Sequence, residues 1–206
     1  MKKRNFLKIA CVLLTLVCIL SLFGCSGLSD EEASARAAEL LEASVLINRI
    51  YYGTGIPTDP NEVGQSTRKK ADPAFLDAVG FSTLEELKAL TREVYTSYCA
   101  EDVFFNVFEA NILIEGSQAR YEESNGFIYV NTAVEPTVAD RVEFDMASIK
   151  ITKKTGSLVY FTVDMKVYSP DGQKYQTLSA QQFSMRKENG VWLLDAPTYA
   201  VYDERR

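Results

Sequence analysis

The chain contains no histidine, and its 206 residues hold only four cysteines, one tryptophan and six prolines. Without imidazole there is no Ser-His-Asp or Cys-His nucleophile pair, no His-ligated zinc and no histidine acid or base. No Gly-rich phosphate cradle ends in Gly-Lys-Ser/Thr, and no dinucleotide fingerprint follows a strand, so no cofactor is expected. Basic residues are short as well, 22 against 28 acids, and no basic stripe interleaves with aromatics. Nucleic acid is therefore not an expected partner. What remains is ordinary globular material, 47% apolar and 24% charged, enough for one domain or two small lobes sharing a core.

The only long apolar run is at the start. Met1-Lys2-Lys3-Arg4 and Lys8 precede 16 uncharged residues from Ile9 to Gly24, too short to cross a bilayer of about 30 Å comfortably at about 1.5 Å per residue. A basic start before a short apolar run has the form of a secretory signal peptide. It ends in Leu22-Phe23-Gly24-Cys25, which resembles the bacterial lipobox, where the cysteine is diacylglycerylated before cleavage. The expected organisation is a signal peptide over 1–24 and a lipidated tether over 25–29 beginning at Cys25. The alternative is an ordinary signal cut near Gly24 or Gly27, with Cys25 incidental. Two acyl chains hold a protein stably where one does not, so lipidation places the chain on the extracytoplasmic face of the cell membrane. Residues 1–24 carry four bases and no acid, leaving 18 bases against 28 acids, a net charge of −10 over 182 residues. Such a chain favours a basic partner. Cys11 and Cys18 leave with the signal and Cys25 takes lipid, so Cys99 has no partner for a disulfide. With no base to activate it, Cys99 is expected to be a buried, inert thiol.

Periodicity then divides the remainder into a helical segment, 30–116, and an antiparallel sheet, 117–202, within what reads as one folded unit. Ser29 with Glu32 is a capping box; the helix it opens carries Leu40, Leu41, Ile47 and Tyr51 on one stripe and stops at Gly53. Residues 53–66 form a Gly/Pro-rich loop. Asp72-Pro73 caps a short helix closed by Gly80. Ser82 with Glu85 reads as a second capping box before Leu84, Leu87, Leu90, Val94 and Tyr95. A third helical piece is expected over Glu101–Asn111, and Gly116 ends the block. The period then changes to two. Ser124-Asn125-Gly126 joins a hairpin, and strands follow over Asp140–Lys153, Val159–Val167, Tyr175–Lys187 and Val191–Leu194, with turns at Ser169–Gly172 and Asn189-Gly190. Helices first and a meander afterwards make the fold class α+β, with a cystatin- or NTF2-like sheet; whether it forms two lobes the pattern leaves open.

Three constellations invite chemistry. Asp59-Pro60-Asn61-Glu62-Val63-Gly64 echoes a calcium loop, but Val63 and Lys70 stand where ligands are required, so a solvated turn is expected and no metal site. Glu143 and Asp145 share a strand face about 7 Å apart, a spacing glycoside hydrolysis could use, although solvated positions on a half-exposed strand explain them as well. Tyr51, Tyr52, Tyr95, Tyr98 and Tyr121 fall where helices meet the sheet and could line either a ligand pocket or the core.

Residues 119–129, Ala-Arg-Tyr-Glu-Glu-Ser-Asn-Gly-Phe-Ile-Tyr, and 186–195, Arg-Lys-Glu-Asn-Gly-Val-Trp-Leu-Leu-Asp, set behind an exported helical segment, resemble the IseA-type inhibitors of bacterial cell-wall DL-endopeptidases. The resemblance implies a protein with a helical and a β lobe that is not an enzyme but binds an NlpC-type cysteine peptidase and blocks the cleft that cuts peptidoglycan stem peptides. It transfers no individual inhibitory residue. From charge alone, Glu122, Glu123, Asp140, Glu143 and Asp145 on the first strands are the acids expected to meet a basic partner. The same features suit a second class, a non-catalytic NTF2- or cystatin-like lipoprotein that binds a ligand or scaffolds envelope proteins.

The anchor is directly testable. Cys25→Ala should move the protein from the membrane fraction to the soluble fraction or leave uncleaved precursor. Unchanged fractionation, with the mature form keeping its mass, would overturn lipidation at this position.

Overall fold

A computed structural model describes residues 27–62, 64, 66–109, 118–139 and 141–203. The fold is α+β, as the periodicity implies. Its centre is α1, Asp30–Tyr52, and its start is the expected capping box: Ser29 Oγ accepts from Glu32 N–H at 3.1 Å while Ser29 N–H donates to Glu32 Oε2 at 2.8 Å. Three acids in the first turn complement the positive end of the helix dipole. Buried positions Ala33, Ala37, Leu40, Leu41, Ser44, Ile47, Asn48 and Tyr51 recur at three- and four-residue spacing, and this stripe meets the sheet.

The remaining helical elements are short. α2, Pro73–Val79, has Asp72 as N-cap and Gly80 in the left-handed region at φ 90°. α3, Leu84–Val94, is capped by Thr83 with Glu86, one residue later than the Ser82/Glu85 pair predicted. The shift has a visible reason: Ser82 joins the same carboxylate, its N–H and Oγ both donating to Glu86 Oε2, so three donors converge on one acid. The third helical piece begins earlier than predicted and is irregular, running as α4, Ser97–Cys99, a π turn over Ala100–Phe104 and a 3₁₀ turn over Phe105–Phe108. Packing forces this winding, because Phe104 is fully buried, its ring centroid 4.4 Å from Tyr95 and 5.3 Å from Tyr51. The predicted end at Asn111 and the Gly116 break lie outside the described residues.

The β-structure departs from a single meander. β1, Arg68–Lys70, lies inside the segment read as helical and pairs with the hairpin β2, Tyr121–Ser124, and β3, Phe127–Asn131, giving a three-stranded sheet in the order β1-β3-β2. Three residues carry no periodicity, so this strand leaves no mark in the sequence. The hairpin turn is the expected one, with Asn125 and Gly126 both at positive φ. The second sheet is the predicted meander, β4 (Val142–Lys154), β5 (Leu158–Tyr168), β6 (Tyr175–Glu188) and β7 (Val191–Leu194), in sequence order. Along β5, Val159, Phe161, Val163, Met165 and Val167 all face inward. Both neighbours of β5 bulge at Asp164: the register slips between Asp145 and Lys150 on β4, and on β6 around Ala180, at φ 50°. Side chains replace the missing ladder bonds. Asp164 N–H donates to Ser148 Oγ at 2.7 Å, and Ala180 N–H donates to Asp164 Oδ1 at 2.7 Å. Bulges facing each other across one strand bend and twist the sheet, and α1 packs against β4 and β7 of that sheet.

One buried core unites these parts, drawing on α1, α3, both sheets and Trp192, which is 8% exposed. Two polar clamps close it. The C-terminal stretch crosses α1, where Thr198 Oγ1 sits 2.7 Å from Ser44 Oγ, 2.9 Å from Asn48 Nδ2 and 2.9 Å from the Tyr95 hydroxyl, all buried. At the C-terminus of α1, Arg120 Nη1 donates to Tyr51 O at 3.2 Å and Nη2 to Gly53 O, while the Tyr121 hydroxyl donates to Ile50 O. These carbonyls would otherwise be orphaned at the helix end. Gly55, at φ +82°, lets the clamp close: a Cβ there would stand 2.7 Å from both Arg120 Nη2 and Tyr121 Oη.

Gly80 has a similar φ, but a Cβ there would meet nothing within 4 Å, so the pair separates conformation from contact. Gly80→Ala should cost about 1–2 kcal/mol, the left-handed penalty alone. Gly55→Ala should cost a further 1–3 kcal/mol or so from overpacking, measured by urea unfolding. Equal losses would show that the Arg120 clamp does not need the glycine.

Candidate functional site

An open cleft of about 500 Å³ lies where α2, the start of α3 and the β2–β3 turn meet the end of β1. Its size is that of small-ligand sites. The floor is apolar: Ala71, Phe81 and Ile128 are buried. Leu76 and Asp77 of α2 and Gly126-Phe127 of the hairpin also line the cleft. Local chemistry holds these elements in place. Asp72 Oδ1 accepts from Ala74 N–H at 2.9 Å to start α2, Ala71 N–H donates to Ile128 O at 2.9 Å, and Asp72 N–H donates to Pro57 O at 2.8 Å.

Four charged side chains line the cleft, and two are committed elsewhere. Glu86 takes the donors of Ser82 and Thr83, which hold its carboxyl below the ordinary carboxylate range. Asp59 Oδ1 accepts from both the backbone and the side chain of Asn61, at 2.8 and 3.0 Å, so the calcium-like stretch is an Asx turn. The other two are not spent in this way. The Asp77 side chain is exposed and makes no hydrogen bond or ion pair among the described residues. The Lys70 ammonium has no carboxylate partner among them and lies 4.1 Å from the centre of the Phe127 ring, itself 50% exposed. Neither Asp77 nor Phe127 carried a sequence signal. Asp77 is one polar position on a seven-residue helix, and Phe127 follows a turn that any β-forming residue could follow.

The acids chosen from the sequence stand in two pairs on different sheets. Glu122 and Glu123 point to opposite sides of β2: Glu122 Oε2 accepts from Arg68 Nε at 2.9 Å, and Glu123 Oε2 accepts from Leu84 N–H at 2.9 Å, tying the hairpin to the N-terminus of α3. Glu143 and Asp145 share the outer face of β4 as expected. The Tyr168 hydroxyl, at 2.7 Å, and the Arg141 guanidinium hold the Glu143 carboxyl below the usual range. A glycosidase acid needs its pKa raised, so Glu143 is shifted in the wrong direction for that role. Asp145 lies opposite Asp164 in the ladder and accepts from Ala147 N–H at 3.2 Å. Asp140 and Cys25 lie outside the described residues.

The tyrosines resolve in favour of the core. Tyr51, Tyr95 and Tyr121 are fully buried, and desolvation raises the pKa of each; Tyr52, half-buried, is pushed up to about 12. Tyr98 is the exception, 71% exposed. Among the described residues no three of His, Cys, Asp and Glu converge as a metal site would require.

Cys99 is 2% exposed, and burial, aided by Asp195 and Asp102, pushes its thiol up to about 12 from 9.0. The stability gained by keeping it neutral is fully present below pH 9.0 and is lost as the pH rises toward 12. Followed at Cys99 by peptide mapping, alkylation by iodoacetamide at about pH 8 should be slow in buffer and fast in urea; comparable rates in the two would contradict burial. No family model matches this chain, and no curated protein matches it either.

Proposed function

We propose that the mature chain is a lipid-anchored extracytoplasmic protein that binds a cysteine-type peptidoglycan endopeptidase stoichiometrically and inhibits it. The observation that carries this reading is the disposition of its acids. In a chain with a net charge of −10 after signal removal, Glu122, Glu123, Glu143 and Asp145 all reach solvent from strands. Three of them are held in fixed directions by Arg68, by the α3 N-terminus and by Tyr168 with Arg141. Fixed, exposed carboxylates steer a basic partner and set register without the entropy cost of ordering long side chains on contact. The resemblance of residues 119–129 and 186–195 to IseA-type inhibitors supplies the partner class. A second reading, a lipoprotein that binds a small ligand, is favoured by the cleft over Phe81 and Ile128.

Inhibition should appear when the full chain, in non-ionic detergent, is added in molar excess to the host's NlpC-type endopeptidases digesting peptidoglycan. It should weaken between about 0.01 and 1 M salt, as the screening length falls from roughly 30 to 3 Å. Joint neutralisation of Glu122, Glu143 and Asp145 to Gln and Asn should slow association more than it speeds dissociation. Full hydrolase activity with no complex at low salt would reject the inhibitor reading.

A further inference from the structure

The cleft holds two charges of opposite sign that pair neither with each other nor with any other ionised group among the described residues. The Asp77 carboxylate, exposed on α2, accepts no hydrogen bond among the described residues. Lys70 stands at the end of β1 with its ammonium 4.1 Å from the Phe127 ring. The same cleft is lined by the buried apolar residues Ala71, Phe81 and Ile128. The other two carboxylates on the rim, Asp59 and Glu86, already accept hydrogen bonds from their own turns. One anion and one cation without an ionised partner among the described residues thus line the same concave surface.

We infer that this cleft binds a short peptide with a free ammonium and a free carboxylate. Asp77 would receive the ammonium, Lys70 the carboxylate, and the floor the apolar side chains between them. The inference rests on the ligand-binding reading and names the ligand class for it; it does not depend on inhibition. A volume of about 500 Å³ accommodates a ligand of a few residues. The geometry also orders the contributions. Burial on Phe81 and Ile128 is indifferent to the ligand's termini, whereas the two charges select for them, so blocking a terminus should weaken binding without abolishing contact with the floor. A charge contact at an accessible rim is worth at most about a fivefold change in affinity.

The test uses the full chain, isotope-labelled, in non-ionic detergent and titrated with leucyl-alanyl-leucine up to about 10 mM. Amide shifts should saturate at Asp77, Ser82, Phe127 and Ile128. Acetylating the peptide's amino terminus should weaken binding about fivefold, and amidating its carboxyl terminus should do the same. Asp77→Asn should remove the penalty for acetylation alone, and Lys70→Gln the penalty for amidation alone, a pattern that a general loosening of the fold would not produce. If free and doubly blocked peptides shift these residues equally, the charge assignment is overturned while the ligand-binding reading stands. If no shift appears at the cleft, both are overturned.

Discussion

The contact on which the remaining architecture depends is the closure of the C-terminus of α1 by Arg120 and Tyr121. A helix of 23 residues ends with carbonyls that have no intrahelical donor, and its dipole places partial negative charge there. The first residues of the β2–β3 hairpin supply the answer: a buried guanidinium on Tyr51 O and Gly53 O, and a phenol on Ile50 O. No carboxylate pairs with Arg120 among the described residues; the helix end itself serves as its counter-charge. Its Nε has no acceptor among the described residues, a cost accepted in a position only 4% exposed. The two clamp residues are adjacent in sequence, so one strand start fixes where the three-stranded sheet sits relative to the helix. Everything at the cleft follows, since β3 then pairs with β1 and β1 leads directly into Asp72 and α2.

The four-stranded sheet solves a different problem. A long central helix must be met by a surface that curves, and flat pleating would leave part of its stripe bare. The bulges on β4 and β6 bend the sheet where Asp164 and Ser148 take over from missing backbone partners. Side chains that complete a ladder are constrained in direction, and Asp164 is thereby removed from the pool of free surface acids. Similar commitments recur at Glu123, Glu86 and Asp59. Many carboxylates that look available in the sequence already accept hydrogen bonds from the fold; of the three that line the cleft, Asp77 is the one whose side chain accepts none among the described residues.

The elements with strong periodicity were legible in advance. The capping box at Ser29, the α2 start at Asp72-Pro73, the alternation of β5 and the Asn125-Gly126 and Asn189-Gly190 turns all depend on interactions within a few residues, and the structure reproduces each. The misses share a cause. β1 is three residues long and exists because β3 offers it an edge. The π and 3₁₀ turns over 100–108 exist because Phe104 must reach between Tyr51 and Tyr95. The α3 cap moved by one residue because Glu86, rather than Glu85, could gather donors from both Ser82 and Thr83.

By itself, then, the amino-acid order determined what is local and what is compositional. It determined the α+β class, the length and caps of α1, the turns of the hairpins, the acidic balance and the absence of imidazole chemistry, because each rests on neighbouring residues or on a count. Tertiary structure alone decided which polar side chains are held in place, and by what. Glu122 meets Arg68 across 54 positions, Glu123 meets Leu84 across 39, and Thr198 meets Ser44 across 154. No window along the chain contains both members of such pairs, and the direction a carboxylate takes depends on the donor that folding brings to it.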